Sequence, residues 1–293
     1  MEQKKKRFPF DRMKDIERPS GICFSENGDT FIITMKKSGM ESNMQKDSAA
    51  FEAWALVARS KGYSRVLLEI SSLPEGFHSN RFLYRALRFS ESFDWFSLSP
   101  ELQKWVSQFR NDKLDSGNLV YNVPTRKAKE AASNPEAQEE RKFIRAPAET
   151  NKKLGANVKT YYSQLPVGLF QGKKAIGAEI FPRGTAAIDF WGLEDDVFHL
   201  VELKARDNYS LGVLSELFFY VNFVYDMHCK KMATPSEKTK LRGFDELLNS
   251  QIKKVKGYIL LQKSHPQLKD AFAELKKCKE ENMCFERIIS YED

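Results

Sequence analysis

Three charged residues, Asp189, Glu202 and Lys204, lie within two short apolar segments, "AAIDFWG" and "VFHLVELKA". Aromatic and β-branched residues dominate both segments, which predicts two strands. Ionised groups inside a sheet are costly unless they are paired or bind a cation. The residue types therefore raise the question of what binds two carboxylates and an amine at these positions.

A hairpin turn centred on Asp195 and Asp196 places Asp189 opposite Glu202, because the two residues are equidistant from the turn. Directly opposed side chains share one face about 5 Å apart, and Lys204 joins that face because a strand has a period of two. Two carboxylates this close repel each other unless one is protonated or a cation lies between them. Oxygen ligands of this kind predict Mg²⁺ or Mn²⁺.

An ordinary ion-pair cluster on a solvated sheet face is the alternative interpretation of the same three charges. Phe198 and Leu200 have the same parity as Glu202, so the face that carries the charges also carries large apolar residues. Such a face has to be covered by other elements. This favours a polar pocket at one end of a buried sheet over a solvated face.

The elements that must position these residues can be predicted from residue 151 onward. The pattern predicts helices over 151–165, 210–228, 244–254 and 266–280, and strands over 175–181, 186–192, 197–205, 255–262 and 284–290. Helices that alternate with strands in this way typically flank a central mixed sheet. We expect an α/β domain over residues 151–293.

The N-terminal region, residues 1–121, is predicted to be a mixed α+β domain used for recognition or oligomerisation. It has a hairpin signal at Asn27-Gly28-Asp29, and a helix that Asp47 or Ser48 would cap. Its helical arginines, Arg81, Arg85 and Arg88, could contact a substrate or form a solvated basic face. Residues 122–150 contain three prolines and many charges, which predicts a partly helical linker.

Composition limits the class of protein. The chain has 293 residues, a net charge of +7 and four scattered cysteines without a CxxC pair. Positive charge favours an acidic polymer as partner, and the cysteine spacing argues against structural zinc. The start of the sequence does not resemble a secretory signal, and the apolar runs are too short to span a bilayer. We expect a cytoplasmic protein that binds nucleic acid and does not bind a membrane.

Asp189, followed after twelve residues by Glu202-Leu203-Lys204, resembles the D…(D/E)xK signature of the PD-(D/E)XK nuclease superfamily. The resemblance covers roughly residues 150–263 and implies a restriction-endonuclease-like αβββαβ core. It implies that Asp189, Glu202 and the backbone carbonyl of Leu203 bind Mg²⁺, and that Lys204 orients or activates the attacking water. In the following helix, Glu216 and Tyr220 are similar to the Q-x-x-x-Y element of some members, with Glu in place of Gln.

The sequence also departs from the family pattern. Ile188 stands where the signature has proline, and the predicted helix over 151–165 offers no clear counterpart of the acidic residue that this helix commonly supplies. Glu140 and Glu149 lie upstream of it. Glu179, on the predicted first strand, shares the pocket face if the turn at 182–184 has three residues.

These residues predict a Mg²⁺-dependent nuclease that hydrolyses phosphodiester bonds, with DNA as the favoured substrate and a homodimer as one expected assembly. The alternative is a nucleic-acid-binding or scaffolding protein that keeps the fold without cleavage. Another kind of phosphate chemistry is disfavoured because the sequence has no glycine-rich phosphate loop of the GxxxxGK[ST] type.

Overall fold

The computed structural model describes residues 7–73, 77–126, 135–181, 186–204 and 209–291. Contacts divide the chain into two compact units. The first contains the residues up to Phe109 together with Ser210–Ser215 and His265–Lys279, and the second contains the rest. Among the described residues, no helix is both long enough and apolar enough to cross a membrane.

The regular elements follow one another along the chain as mixed helices and strands. The strands are β1 (Ile22–Asn27), β2 (Thr30–Met35), β3 (Arg65–Ile70), β4 (Phe96–Leu98), β5 (Leu119–Tyr121), β6 (Tyr161–Val167), β7 (Leu169–Gln171), β8 (Ala186–Glu194), β9 (Val197–Lys204), β10 (Thr234–Pro235), β11 (Lys254–Leu261) and β12 (Met283–Ser290). The helices are α1 (Lys37–Glu41), α2 (Phe51–Ser60), α3 (Phe77–Ser92), α4 (Pro100–Phe109), α5 (Pro135–Arg145), α6 (Pro147–Leu154), α7 (Gly212–Val224), α8 (Phe244–Asn249) and α9 (Leu268–Leu275).

The first unit is built on a sheet in the order β1-β2-β3-β4. Its predicted hairpin is confirmed, since Asn27 pairs with Thr30 across a turn formed by Gly28 and Asp29. The predicted cap of α2 is wrong. Asp47 lies in a separate 3₁₀ turn, and its carboxylate accepts hydrogen bonds from the Ser210 hydroxyl (2.5 Å) and the Gly212 N–H (3.3 Å) instead.

The helical arginines of α3 do not form a solvated face. Arg85 is buried and its Nε donates to Glu52 Oε1 at 2.7 Å, and Glu52 is buried too. Arg81 donates to the backbone carbonyl of Ser42 at 2.9 Å. Arg85 is thus an internal ion-pair partner, because the helix turns this position towards α2 and away from solvent.

The second unit contains a mixed sheet in the order β12-β11-β9-β8-β6. The β6–β8 and β8–β9 pairs are antiparallel, while β9–β11 and β11–β12 are parallel. A separate small sheet has the order β10-β5-β7. The predicted α/β class and the predicted hairpin of the second and third strands are confirmed.

The first helix and the first strand of this sheet do not lie where the sequence pattern placed them. The helix ends at Leu154 because Gly155 adopts a left-handed conformation with φ of 66°, and residues from Tyr161 form the edge strand β6. Tyr161, Leu165 and Val167 of this strand are buried. The predicted strand over 175–181 is a turn followed by a single bridge between Glu179 and Phe170.

The two compact units also differ from the predicted boundaries at residues 121 and 150. Residues 110–121 belong to the second unit, whereas residues 265–279 belong to the first, where α9 packs against α2. The predicted linker contains α5, whose Phe143 ring stacks on Phe190 of β8 at a centroid distance of 6.1 Å. Phe143 and Ile144 of α5 are partly buried and pack against the hydrophobic core of the second unit.

Candidate active site

The hairpin of β8 and β9 opens at the position of Asp189. Regular pairing extends from Glu194 and Val197 at the turn to Phe190 and Val201. Beyond that pair, Oδ2 of Asp189 accepts a hydrogen bond of 2.8 Å from the backbone N–H of Leu203. A carboxylate therefore replaces the backbone carbonyl that would normally continue the ladder.

Lys204 joins two buried glutamates. Its Nζ lies 2.6 Å from Glu202 Oε1 and 2.7 Å from Glu216 Oε2. The hydroxyl of Tyr220, one helical turn further along α7, donates to Glu216 Oε1 at 3.0 Å. All four side chains are buried, so α7 and β9 together position the cluster.

The electrostatics of the cluster are dominated by burial. Burial raises the pKa of Asp189 to about 7, although the Lys204 ammonium acts in the opposite direction. Burial, and then the charges of Asp189 and Glu216, raise the pKa of Glu202 well above its ordinary range. Burial alone would lower the pKa of Lys204, but the surrounding carboxylates outweigh it and raise that pKa well above the ordinary value.

The cluster is short of positive charge. Asp189, Glu202 and Glu216 would carry three negative charges when ionised, and Lys204 supplies one positive charge against them. Glu202 Oε2 is buried without a hydrogen-bond partner, and an unpaired buried carboxylate oxygen is costly. One divalent cation would complete the charge balance, and hard oxygen donors suit Mg²⁺ or Mn²⁺.

The described residues contain no group of three or more His, Cys, Asp and Glu side chains arranged to hold a metal ion. Asp189 and Glu202 are therefore the side-chain ligands that the cluster can offer, with Glu216 engaged by Lys204 and Tyr220. Mg²⁺ commonly binds through one or two carboxylates and completes its shell with water and substrate phosphate. The residues present fit this mode of binding.

Glu179 does not lie on the strand that was predicted to carry it to this site. Its bridge to Phe170 attaches it to β7 of the small sheet, and its carboxylate accepts the N–H of Gly177 at 2.6 Å. The turn at 182–184, on which the prediction depended, lies outside the described residues. Glu179 is therefore placed with the small sheet, whereas Glu216 and Tyr220 do lie beside Lys204.

Helix α5 brings an acidic residue that the sequence interpretation missed. Glu136 lies in the first turn of α5, and its negative charge is one of the smaller causes, after burial, that raise the pKa of Asp189. Glu140 is buried one turn later, whereas Glu149 of α6 is exposed. The signal was Pro135 at a helix start followed by acidic residues, but this segment was interpreted as a linker.

Comparison of the chain with protein-family models, with curated proteins and with solved structures finds no match. The functional interpretation therefore depends on the geometry of the cluster and on the order and direction of the strands around it.

Proposed function

We propose that the chain is a metal-dependent nuclease that hydrolyses phosphodiester bonds in DNA. The observation that carries the proposal is the meeting of Asp189 and Glu202 from two adjacent antiparallel strands, with Lys204 two residues beyond Glu202. The order α6, β6, β8, β9, α7 and β11 supports the restriction-endonuclease-like αβββαβ core, as do the strand directions.

Asp189, Glu202 and the backbone carbonyl of Leu203 would hold the ion. When bound, a divalent ion polarises a phosphate oxygen and lowers the pKa of an attacking water. In the resting cluster, Leu203 fixes the Asp189 carboxylate through its N–H, and Lys204 fixes Glu202 through its ammonium. Both carboxylates are thus held in place before a substrate arrives, which lowers the entropic cost of assembling the site.

Lys204 would act as a fixed positive charge. Its Nζ lies 2.6 Å from Glu202 Oε1 and 2.7 Å from Glu216 Oε2, and these carboxylates raise its pKa and favour the protonated form in the metal-free cluster. Its ammonium would donate hydrogen bonds and stabilise the negative charge that builds up on the phosphate as water attacks. Glu216, oriented by Tyr220, holds this ammonium beside Glu202.

One observation favours the alternative function, a nucleic-acid-binding or scaffolding protein without cleavage. Lys204 contacts both Glu202 and Glu216, so an internal cation already neutralises part of the cluster. The unpaired Glu202 Oε2 argues in the other direction, because a cluster that has only a structural role gains nothing from a buried oxygen without a partner.

The test is incubation of linear, circular and single-stranded DNA, and of RNA, with wild-type protein in Mg²⁺, in Mn²⁺ and in EDTA. The matched variants are Asp189→Asn and Glu202→Gln, with Glu149→Gln as a control because Glu149 is exposed on α6. Metal-dependent cleavage by the wild type and the control, lost in both site variants, supports the nuclease. Equal cleavage by wild type and Glu202→Gln contradicts it, and binding without any cleavage supports the alternative.

A homodimer, a cytoplasmic location and DNA in preference to RNA stay predictions. Each has its own measurement: light scattering for the oligomeric state, cell fractionation for the location, and the parallel DNA and RNA assays for the substrate.

A further inference from the structure

Gln164 interrupts strand β6 next to Asp189. Pairing between β6 and β8 is regular on both sides of this point, with Ser163 opposite Phe190 and Leu165 opposite Ile188. Continuity of register places Gln164 opposite Asp189, yet this pair is missing from the ladder. The reason is that Gln164 has a φ of 54°, a left-handed conformation that a non-glycine residue rarely adopts in a strand.

The left-handed conformation takes Gln164 out of the regular ladder, and its side chain bonds to helix α5. In a regular antiparallel pair, Gln164 and Asp189 would share one face. The Gln164 amide instead donates to Glu140 Oε2 of α5 at 2.9 Å. Phe143 of the same helix stacks on Phe190, the β8 residue next to Asp189. The Gln164 side chain is therefore bonded to α5 at the register position of β6 that lies opposite Asp189.

Arg242 holds the distorted backbone from the outside of the strand. Its Nη1 donates to the backbone carbonyl of Gln164, and its Nε donates to the carbonyl of Arg126 at 3.1 Å. Arg242 itself has a φ of 55°. Two non-glycine residues in strained conformations are thus bonded directly to each other, and such strain persists only where the surrounding structure enforces it.

The turn that carries Arg242 is fixed against β6. Gly243 packs under the ring of Tyr162, where an added Cβ would lie 2.5 Å from three ring carbons. The Tyr162 hydroxyl donates to Glu246 of α8, and the Tyr162 ring lies 5.0 Å from that of Trp191 on β8. These contacts set the distance between the Arg242 guanidinium and the Gln164 carbonyl.

We propose that Gln164 and Arg242 form a positioning unit: the distortion of β6 that Arg242 holds at Gln164 fixes the position of Asp189 on the neighbouring strand, so that the Asp189 carboxylate meets the Leu203 N–H. Arg242 binds the carbonyl of the distorted residue, and Asp189 lies opposite that residue in the register of β6 and β8. The proposal rests on the nuclease function in one respect only, namely that Asp189 is a metal ligand. Both residues act through Asp189 and do not touch the reacting atoms.

Substitutions at residue 164 separate positioning from general stability. Gln164→Gly removes the side chain but favours a positive φ, so the distortion persists. Gln164→Val disfavours a positive φ, so β6 becomes regular and the position of Asp189 on β8 shifts. We expect Gln164→Val to lower Mn²⁺ affinity, measured by calorimetry, and Mg²⁺-dependent cleavage by about 10- to 100-fold, and Gln164→Gly to change each by less than about threefold.

Arg242→Met provides a second route to the same result if Gln164→Val does not fold. It removes the donor to the Gln164 carbonyl, and we expect a loss in the same direction. Arg145→Met is the matched control because Arg145 is exposed at the end of α5. Glu140→Gln keeps an oxygen acceptor for the Gln164 amide and should leave cleavage within about threefold of wild type.

A measurement that does not require nuclease activity distinguishes the two proposals. Amide hydrogen exchange at Leu203 reports the bond from its N–H to Asp189, and we expect it to speed up at least tenfold in Gln164→Val and to stay unchanged in Gln164→Gly. Wild-type protein that neither binds Mn²⁺ nor cleaves contradicts the nuclease, while the Leu203 result still decides the positioning unit. Equal behaviour of the Val and Gly variants in all three measurements overturns the positioning unit alone.

Discussion

Tyr220 and Glu216 form a buried hydrogen bond of 3.0 Å, from the tyrosine hydroxyl to Oε1 of the glutamate. The other oxygen of Glu216 accepts the Lys204 ammonium at 2.7 Å. The Tyr220 hydroxyl therefore orients the Glu216 carboxylate, and this carboxylate in turn orients the Lys204 ammonium. Tyr220 therefore contributes to the site indirectly. Its removal should affect cleavage more than metal binding.

Tyr220→Phe keeps the ring and removes this donor. We expect the free energy of unfolding to fall by about 1 to 3 kcal/mol, because Glu216 Oε1 loses a buried partner. Cleavage should fall because Lys204 is held less rigidly, while Mn²⁺ affinity stays near the wild-type value. Calorimetry and a cleavage assay check both quantities, and a loss of Mn²⁺ binding as large as the loss of cleavage would show that Tyr220 acts on the metal ligands directly.

Lys204→Gln tests the balance of charge in the cluster. Removing the ammonium leaves Glu202 and Glu216 buried together without their cation, which should destabilise the metal-free protein by roughly 3 to 5 kcal/mol at pH 8. A divalent ion should then raise the melting temperature more in the variant than in wild type, because it substitutes for the lost charge. Cleavage should still be lost, and an Mn²⁺ affinity much weaker than wild type would contradict the assigned role of Lys204.

The candidate site was more predictable than the segments around it. Asp189, Glu202 and Lys204 occupy strand positions whose parity is fixed by the period of two, so a turn at Asp195 and Asp196 was enough to bring them together. The following helix was predictable from its continuous apolar pattern. The hairpin and the helix each depend on residues that are close together in the sequence, so both could be predicted from the sequence alone.

The position of β6 could not be predicted because its signal is mixed. The segment "YYSQLPV" contains Gln164 in a left-handed conformation and a proline, and proline is tolerated in a sheet only at an edge strand or a bulge. The packing of α5, which carries Glu136, was missed for a related reason: charged residues around prolines resemble a linker until the helix is seen to pack on β8. Both features depend on contacts distant in sequence.

Glu140→Gln should remove part of the pH dependence of stability. Burial raises the pKa of Glu140 to about 7, above its ordinary value of 4.5. An acid whose pKa is raised on folding destabilises the native state increasingly as the pH rises from the unfolded value to the folded value. The variant should therefore be more stable than wild type at pH 8, by up to about 3 kcal/mol, and the difference should shrink towards pH 4. Denaturant unfolding at several pH values measures this, and a constant difference across that range would contradict the assignment.

Phe219→Ala tests whether α7 is held by its aromatic face. Phe219 is buried, and its ring contacts that of Phe181 at a centroid distance of 5.8 Å. Truncation should lower the free energy of unfolding by about 3 to 5 kcal/mol, because it leaves a cavity in the core of the second unit. The control is Tyr209→Ala, which alters an exposed aromatic side chain. An unchanged melting temperature in Phe219→Ala would refute the packing described for this helix.

The ion pair of Arg85 and Glu52 allows a prediction for the first unit. Both side chains are buried, and Arg85 also donates to the carbonyl of Ala49 at 3.0 Å. Arg85→Met leaves the Glu52 carboxylate without its partner and should cost roughly 3 to 5 kcal/mol, whereas a double variant with Glu52→Leu should recover much of that loss. The double-mutant cycle is measured by denaturant unfolding. The pair lies in the first compact unit, whereas the candidate site lies in the second. Mg²⁺-dependent cleavage by the folded Arg85→Met variant should therefore match wild type. A loss of cleavage without a loss of stability would reveal a role of Arg85 in substrate binding.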